Sequence, residues 1–525
     1  MAKLQLIIND LLIPVEKDGV FQYISAAAEK LCLGEEQVEL VKILFKELEM
    51  KNPEQFYYKL SLAVKVPPSF PNRENLPAFI EKLPPVITSR PSKERPIVIG
   101  FGPAGIFAAL ELIEYGQYPL VFERGKKIEE RHADIGAFIK EKILNPESNI
   151  QFGEGGAGSY SDGKLFARAK NSAYINKVIA TLIKFGAPPQ IEYAARPHLG
   201  TEVLCEIVKN IRNYIFEKGG EVFFNSKMTD ILISDGKIGG VVVNGKKEYL
   251  SSNVYLALGH SARDTFLLLQ EKGVMLEQKP IAVGIRVEHP VEIINEMKYG
   301  RKYKNFAPLG AANYSFNYSN EKTNRRLNTF CMCPGGEVVN ASSEQGLLVV
   351  NGMSYSRRDS DFSNTAFIIT CHPSDYPSTS PLAGMEFQKE IEENAYNAGG
   401  GSFEVPAQNL TDFLAGKISG KLNRNSCKIG TKSVDLSAIF PKFINETLLS
   451  AFNQWKPEYP SYVSEHGILM APETRTSCAA RIKRTEEYES ANVKGLFPIG
   501  EGAGYTGGIT SSAADGIKAV EKQNS

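Results

Sequence analysis

The sequence predicts an α/β fold in which one parallel-sheet unit is formed from two separate parts of the chain. Two observations indicate this unit: a strand, glycine turn, helix and strand at residues 96–125, and a strand, glycine turn and helix at residues 496–520. Between them, short strands alternate with loops, which is typical of an antiparallel sheet. We expect a small N-terminal α+β domain at 1–88, the first part of the parallel-sheet domain at 89–280, an inserted, mainly antiparallel β domain at 281–465, and the closing part at 466–525.

The N-terminal segment reads as two strands, LQLIIND and FYYKLSLAVKV, and two helices at residues 24–33 and 36–48. The second helix is predicted because its apolar residues recur at the spacing of one helix face. A nearly balanced charge favours a structural or docking role over RNA binding. The following stretch, LPPVITSRPSKERP, has four prolines in fourteen residues and predicts a linker.

The unit at residues 96–125 carries the turn G-x-G-x-x-G at Gly100, Gly102 and Gly105, with Pro103 and Ala104 between them. The first glycine permits the sharp turn, the second lets backbone N–H groups close on a pyrophosphate at the helix N-terminus, and the third allows close helix–strand packing. A strand before the turn and a helix after it make this a Rossmann-like dinucleotide-binding unit.

The second strand of this unit ends at Glu123, 23 residues after Gly100, and Arg124 follows it. A carboxylate at this spacing can accept hydrogen bonds from a ribose diol, so we assign both residues to cofactor binding.

A second glycine cluster, FGEGGAGSYSDGKLFAR, matches G-x-G-x-x-G literally, but no convincing strand precedes it and SYSDGK does not continue as an amphipathic helix. It predicts a loop against a flat ligand, or else a flexible surface loop. The candidate binding residues here are Gly155, Gly158, Ser159, Asp162, Gly163 and Lys164.

A strand meander follows, with turns at Asp235-Gly236 and Asn244-Gly245, and its last strand ends at Gly259 beside the expected nucleotide site. The tail, GLFPIGEGAGYTGGI, has no second strand after its glycine turn, so it is expected to close the first sheet. Its helix N-terminus would then face the ligand. Gly259, Gly500, Glu501, Gly507, Gly508 and Ile509 are the binding candidates of these two segments.

Composition limits the classes of function. Lys plus Arg and Asp plus Glu both number 60, so no overall field recruits nucleic acid or an anionic membrane. The first residues do not resemble a secretory signal, no apolar run is long enough to span a bilayer, and seven scattered cysteines suit a reducing compartment. We expect a cytoplasmic protein with a small-molecule substrate, no metal site and an undetermined oligomeric state.

Several motifs occur in the order of a known family: VIGFGPAG, FGEGGAGSYSDGKL, VGIRVEHP, FCMCPGGEVV, ETRTSCAARIKR and GLFPIGEGAGYTGGI. From about residue 90 onward the chain resembles the bacterial family of uncharacterised FAD-utilising dehydrogenases, which is similar to the glutathione-reductase-like flavoproteins. The resemblance implies non-covalent FAD, with the glycines of the first turn on the pyrophosphate and Glu123 on the adenosine ribose. Wider relatives carry Gly-Asp where this chain has Gly500-Glu501, and Glu501 is one methylene longer.

The catalytic candidates are Cys333, His260 and Arg481. Cys331 and Cys333 would share one face of a strand, as a redox pair, a single nucleophile or two buried core residues. His260 and His289 are potential proton donors or structural residues. Arg475 and Arg481 would hold an anionic substrate, offset flavin charge or form surface ion pairs.

Three classes of function follow from these observations. We favour an FAD-dependent oxidoreductase of dehydrogenase type that acts on a small organic substrate, with NAD(P)H only as a transient reductant. A flavin monooxygenase shares the layout but usually carries a central Asp-Gly motif, which ALGHSARD at residues 257–264 is not. A flavoprotein that docks RNA or protein is the third class, and the balanced charge counts against RNA.

Overall fold

The structure, a computed structural model, describes residues 4–73, 75–81, 94–165, 173–321 and 323–524. Most of the predicted proline-rich linker and the FAR end of the second glycine cluster lie outside these residues. The described part is a mixed α/β structure with one parallel sheet and several antiparallel ones. None of the described helices combines the length and apolar character needed to cross a membrane.

The N-terminal part is a three-stranded antiparallel sheet with one helix across it. Its elements are β1 (Leu4–Pro14), α1 (Val20–Leu31), β2 (Glu39–Glu49) and β3 (Tyr57–Val66), with the strand order β1-β3-β2.

The helix predicted at residues 36–48 is wrong, because this segment forms strand β2. The register between β2 and β3 shifts twice, between Leu40 and Lys42 and between Ile43 and Phe45. Each β-bulge inserts a residue and breaks the alternation of inward and outward side chains. The apolar residues therefore recur at a spacing that imitates a helix face, although they lie on a strand.

The first part of the parallel-sheet domain contains the predicted unit, followed by helices and the meander. Its elements are β4 (Ile97–Ile99), α2 (Pro103–Glu114), β5 (Leu120–Phe122), α3 (Ile128–Glu141), α4 (Ala173–Lys184), α5 (Thr201–Glu217), β6 (Glu221–Phe223), β7 (Met228–Ser234), β8 (Lys237–Val243), β9 (Lys247–Leu250), β10 (Val254–Leu256) and α6 (Arg263–Glu271).

The middle of the chain builds a seven-stranded sheet with helices packed on it. Its elements are β11 (Leu276–Gln278), β12 (Ile281–Pro290), α7 (Val291–Tyr303), β13 (Asn317–Asn320), β14 (Arg325–Cys333), β15 (Glu337–Asn340), β16 (Val350–Met353), β17 (Phe362–Cys371), α8 (Ala383–Ala398), β18 (Val405–Asn409), α9 (Leu410–Leu414), β19 (Thr431–Ser433), α10 (Lys442–Trp455) and β20 (Ile468–Glu473). The order is β13-β14-β17-β12-β20-β18-β19, antiparallel except for the β18–β19 pair, so this sheet extends past residue 465.

The tail contributes β21 (Ala480–Ile482), β22 (Leu496–Pro498) and α11 (Ile509–Asn524). Strand β22 pairs in parallel with β10, which pairs in parallel with β4, and the five-stranded order is β22-β10-β4-β5-β6. The prediction that the tail closes the first sheet is therefore confirmed.

Side chains alternate across this five-stranded sheet and join two different cores. Val98 and Val121 pack with the helices α2, α4, α5 and α11 on one face. Ile97, Ile99 and Phe122 pack on the other face, where the meander β7–β9 supplies Ile231 and Val241. The sheet is thus held between a helical layer and a strand layer, which fixes its carboxyl edge.

Candidate functional site

A cavity of about 1030 Å³ opens at the carboxyl edge of the five-stranded sheet. The chain runs from β4 outward to β5 and β6, and then returns to place β10 and β22 on the other side of β4. In open α/β sheets, ligands bind where the strand order reverses in this way. We call the part lined by Gly100, residues 102–104 and Glu123 the nucleotide end, and the part lined by His260, Lys164, Cys331 and residues 507–509 the ring end.

The first glycine turn has the geometry that its spacing predicts. Gly100 has a φ of +100°, and a Cβ there would lie 2.3 Å from the carbonyl oxygen of Ala257. A Cβ on Gly105 would lie 2.0 Å from the carbonyl oxygen of Gly100, so this contact between helix and turn requires glycine. Gly102 caps α2, and Pro103 occupies its first turn. Gly100, Gly102, Pro103 and Ala104 line the cavity, whereas Gly105 supports the turn from behind.

Glu123 is 5% exposed, and its carboxylate accepts hydrogen bonds from three backbone N–H groups. The donors are Phe101, Gly125 and Gly153, each at 2.9 Å. One oxygen takes two of these bonds and the other takes only the bond from Phe101, so that oxygen retains an acceptor position. Glu123 thus joins the two glycine segments and can still accept a hydrogen bond from a hydroxyl group of a ligand.

Arg124 also lines the cavity, but its guanidinium group is already engaged. It donates to Glu147 at 2.6 Å and to both oxygens of Asp264 at 3.0 and 2.9 Å, and it lies over the ring of Phe152. These ion pairs hold the pKa of the Asp264 carboxyl below its usual range, against the opposing effect of burial. Arg124 therefore forms part of the cavity wall.

The second glycine cluster folds against the first, as the prediction of a ligand-facing loop requires. A Cβ on Gly156 would lie 3.0 Å from the Cα of Gly102, so the two turns face each other directly. Gly158, Asp162, Gly163 and Lys164 line the main cavity, together with neighbours in the loop. Gly155 and Ser159 instead line a small apolar cavity beneath α2 and α5, which places these two candidates outside the main one.

Asp162 is buried, and three side chains converge on it. Lys164 lies 2.8 Å away, and Arg358 and Ser354 donate hydrogen bonds to its carboxylate. Lys164 and Arg358 hold the pKa of this carboxyl below its usual range, although burial opposes them. Asp162 is thus an anion that fixes two cations at the ring end.

The tail turn completes the ring end. Gly500 has a φ of +71° and donates its N–H at 2.7 Å to Asp515, whose carboxylate also accepts two bonds from Arg484 at 2.8 Å. Asp515 lines the cavity and was not predicted, although a buried acid on the apolar face of TSSAADGIKAV is a visible signal. Glu501 lines the cavity too, and burial raises the pKa of its carboxyl to about 7.

Three glycines leave the backbone open toward the cavity. No atom lies within 4 Å of where a Cβ would be on Gly259, Gly507 or Gly508, and helix α11 begins at the next residue, Ile509. The N–H groups of a first helical turn have no partner within the helix and favour negative charge. Two helix N-termini, those of α2 and α11, therefore meet one cavity.

His260 lies in the ring-end wall, with Nδ1 2.8 Å from the hydroxyl of Ser261. Burial, aided by the charges of Arg475 and Arg263, lowers the pKa of His260 to about 4. The imidazole is therefore neutral at pH 7 and can accept a hydrogen bond at one ring nitrogen. His289, in contrast, is buried against the carbonyl of Tyr462 inside the inserted sheet.

The two arginine candidates are both held in ion pairs. Arg475 binds Glu392 and Glu344 in a buried network that also contains Arg263. Arg481 pairs with Glu277 at 2.8 Å, stacks on Tyr505 and does not line the cavity. Arg475 is buried and lines the cavity, so its ion pairs do not lie at the surface, whereas the partly exposed pair of Arg481 is a surface ion pair.

Cys331 and Cys333 differ in solvent exposure. Cys331 lines the cavity, whereas Cys333 is fully buried behind it. Sequence reasoning placed both thiols on one face of a regular strand, but the register of β14 shifts between Phe330 and Cys333 and Cys331 has a φ of +42°. The thiol that a ligand would meet is that of Cys331.

These residues fit a dinucleotide that carries an aromatic ring at its second end. The nucleotide end supplies a glycine turn, a helix N-terminus and a carboxylate, and the ring end supplies a second N-terminus and flat backbone loops. The volume lies at the upper end of the range of small-molecule and cofactor sites. In the described residues no group of three or more His, Cys, Asp or Glu is placed to hold a metal ion.

Comparison with known sequences points the same way. Residues 280–476 match the family model described as FAD-dependent protein, C-terminal domain-like. An uncharacterised protein of Clostridium beijerinckii is 47% identical over 431 residues, which are 82% of this chain and 80% of that protein. The family match confirms the predicted cofactor, FAD.

Three solved structures illustrate the matches to proteins with a similar course of the chain. CtdE in complex with FAD and a substrate is 11% identical and covers 81% of this chain and 79% of its own, with a TM-score of 0.33. The quinol fumarate reductase subunit FrdA of E. coli is 12% identical over 83% and 70%, with a TM-score of 0.35. The L-amino acid deaminase of Proteus myxofaciens is 16% identical over 84% and 92%, with a TM-score of 0.32. TM-scores this low do not establish a common fold, so the family assignment rests on the sequence matches.

Proposed function

Because this chain belongs to the family of the C. beijerinckii protein and carries the FAD-dependent C-terminal domain, we propose that it is an FAD-dependent oxidoreductase of dehydrogenase type with a small organic substrate. The observation that supports this most is the continuity of one cavity from Glu123 to Cys331 and His260. We also propose that the layout is glutathione-reductase-like, with the seven-stranded sheet as the substrate domain.

The nucleotide end would hold the adenosine diphosphate part of FAD. The N–H groups at the start of α2 would bind the pyrophosphate, and the free acceptor position on Glu123 would bind the ribose. Bound FAD supplies two-electron redox chemistry. At the ring end, the N-terminus of α11 would offset negative charge on the pyrimidine side.

His260 is the side chain that this proposal assigns to orienting the substrate. The hydroxyl of Ser261 donates to Gln151 at 3.3 Å, so Nδ1–H of His260 donates to Ser261 and Nε2 is left as the acceptor. Because the pKa of His260 is lowered to about 4, Nε2 is unprotonated at neutral pH and would accept a hydrogen bond from a substrate O–H or N–H, which positions the substrate for hydride transfer.

The first test is FAD binding by the purified chain. We expect a yellow protein with an oxidised-flavin spectrum, and at least about tenfold weaker FAD binding in Glu123→Ala, because a charged acceptor is lost and three buried N–H groups lose their partner. Glu130→Ala, which removes an exposed carboxylate of α3, is the matched control and should bind FAD normally. A colourless protein that takes up no FAD overturns the proposal.

The second test is anaerobic stopped-flow reduction. Flavin reduction by an alcohol, amine or related substrate without NAD(P)H, slowed in His260→Gln, supports the dehydrogenase. Reduction by NAD(P)H that is followed by oxygen-dependent hydroxylation of a product identifies a monooxygenase and overturns the dehydrogenase assignment.

A further inference from the structure

The end of strand β14 carries an irregularity beside the ring end of the cavity. Phe330 pairs with Ala366 and Cys333 pairs with Asn364, so two residues, Cys331 and Met332, lie opposite the single residue Thr365. This is a β-bulge, and Cys331 within it has the left-handed φ of +42° that side chains other than Gly, Asn and Asp seldom adopt. The bulge presents Cys331 to the cavity, and the buried Cys333 thiol donates to the carbonyl oxygen of Cys331 at 3.3 Å.

Cations surround this pair of thiols. Lys164 donates to the carbonyl of Met332 between the two cysteines. Arg286, which is fully buried, donates to the carbonyl of Cys331 at 2.8 Å and lies 3.8 Å from the Sγ of Cys333.

Three cations and their carboxylate partners lie near the two thiols. The cations are Lys164, Arg286 and Arg358, and the carboxylates paired with them are Asp162 and Glu473. The fully buried Glu288 carboxyl also faces Arg286, and burial raises its pKa to about 7. A hydrogen bond from Cys333 and the charges of Lys164 and Arg286 hold the pKa of the Cys331 thiol well below its usual range, whereas its bond to Cys331 and burial raise the pKa of the Cys333 thiol.

The other five cysteines differ from Cys331 in exposure or in the pKa of the thiol. Cys32 is exposed in the N-terminal part, and Cys205, Cys371, Cys427 and Cys478 are buried. Burial raises the pKa of the Cys205 thiol to about 11 and that of the other three buried thiols to about 12.

We propose that Cys331 and Cys333 form a dithiol–disulfide couple that exchanges an electron pair with FAD across the ring end of the cavity. The proposal rests on the proposed function, which supplies FAD. In the oxidation of the couple, the Cys331 thiolate and the Cys333 thiol form an S–S bond and the S–H bond of Cys333 breaks. The electron pair and that proton pass to oxidised FAD, so charge and atoms balance. In the reverse step, the disulfide would take an electron pair and a proton from reduced FAD, and its S–S bond would break to give the Cys331 thiolate and the Cys333 thiol.

The test is an anaerobic reductive titration of the FAD-loaded protein after mild oxidation with diamide, in a Cys32→Asn background that removes the exposed thiol. We expect four electrons to be taken up per FAD, two by flavin and two by the disulfide. Cys331→Ser and Cys333→Ser should each take up two. Mass spectrometry of the oxidised, alkylated protein should show the 331–333 disulfide and its loss in either variant.

Cys427→Ala, which changes a buried cysteine of the same domain, is the matched control and should keep the four-electron uptake. Cys331→Ala gives a second test if Cys333→Ser fails to fold, since Cys331 is only half-buried. A yellow protein that takes up only two electrons overturns the couple and leaves the proposed function standing. A protein that binds no FAD overturns both.

Discussion

The nucleotide end of the cavity is built largely from backbone groups of residues 96–125, with one group each from Gly153 and Ala257, whereas the ring end brings together side chains from distant parts of the chain. At the nucleotide end, Gly100 and Gly105 touch carbonyl oxygens and Glu123 binds three backbone N–H groups. At the ring end, Lys164, His260 and Cys331 come from three segments, and Lys164 is held by its ion pair with the buried Asp162. The first end depends on local chain geometry and the second on tertiary packing, so substitutions should affect the two differently.

The largest effect is expected at the ion pair behind the ring end. Arg286→Met leaves the buried Glu473 carboxylate without its partner, which binds it at 2.7 and 3.0 Å, and should lower the free energy of unfolding by about 3–5 kcal/mol. Urea unfolding measures this. The double variant Arg286→Met/Glu473→Leu should recover much of the loss, and a single variant as stable as the parent contradicts the argument.

A smaller loss is expected at the glycine turn. Gly105→Ala places a methyl group 2.0 Å from the carbonyl oxygen of Gly100 and should cost about 1–3 kcal/mol, with weaker FAD binding because the turn must shift. Gly136→Ala, in helix α3 with no atom near its Cβ position, should be neutral or stabilising by up to about 1 kcal/mol. Calorimetry and flavin titration compare the two, and equal effects would remove the steric explanation.

The pH dependence of stability should distinguish the ring end from the nucleotide end further. Burial raises the pKa of Glu501 to about 7 from its ordinary value of 4.5, so the folded chain holds this proton more tightly than the unfolded chain. Stability should therefore fall as pH rises through this window, by up to about 3 kcal/mol in the FAD-free protein. Glu501→Gln should remove that slope in urea unfolding at pH 4.5 to 8, and an unchanged slope assigns it to other groups.

The smallest effect is expected at Arg481, the candidate that lies outside the cavity. Its pair with Glu277 is partly exposed, so Arg481→Ala should change stability by about 0.5 kcal/mol or less and leave the FAD dissociation constant unchanged. A large loss of FAD affinity in this variant would restore Arg481 to the site.

Sequence reasoning reached the nucleotide end because its signal is local. The spacing of Gly100, Gly102, Gly105 and Glu123 is sufficient, since one turn and two strands carry the chemistry. The tail was also predictable, because a glycine turn without a following strand has to complete another sheet.

The ring end was predictable only in part. Alternation along FCMCPGG places both cysteines on one face, and nothing in those letters reveals the bulge that separates them. Strand β2 was missed for the same reason, because two bulges in it imitate a helical pattern. Bulges arise from pairing with a neighbouring strand, which a single segment does not record.

The position of β22 and α11 in the chain determines the order in which the parts of the cavity are synthesised. Strand β22 begins about 400 residues after β4 along the chain, yet both flank β10, and Gly516 of α11 approaches the backbone of Ala104 so closely that a Cβ would lie 2.3 Å from its carbonyl oxygen. On the ribosome, the glycine fingerprint therefore emerges well before the strand and helix that complete its sheet. The complete cavity therefore forms late in biosynthesis, after the seven-stranded sheet has emerged.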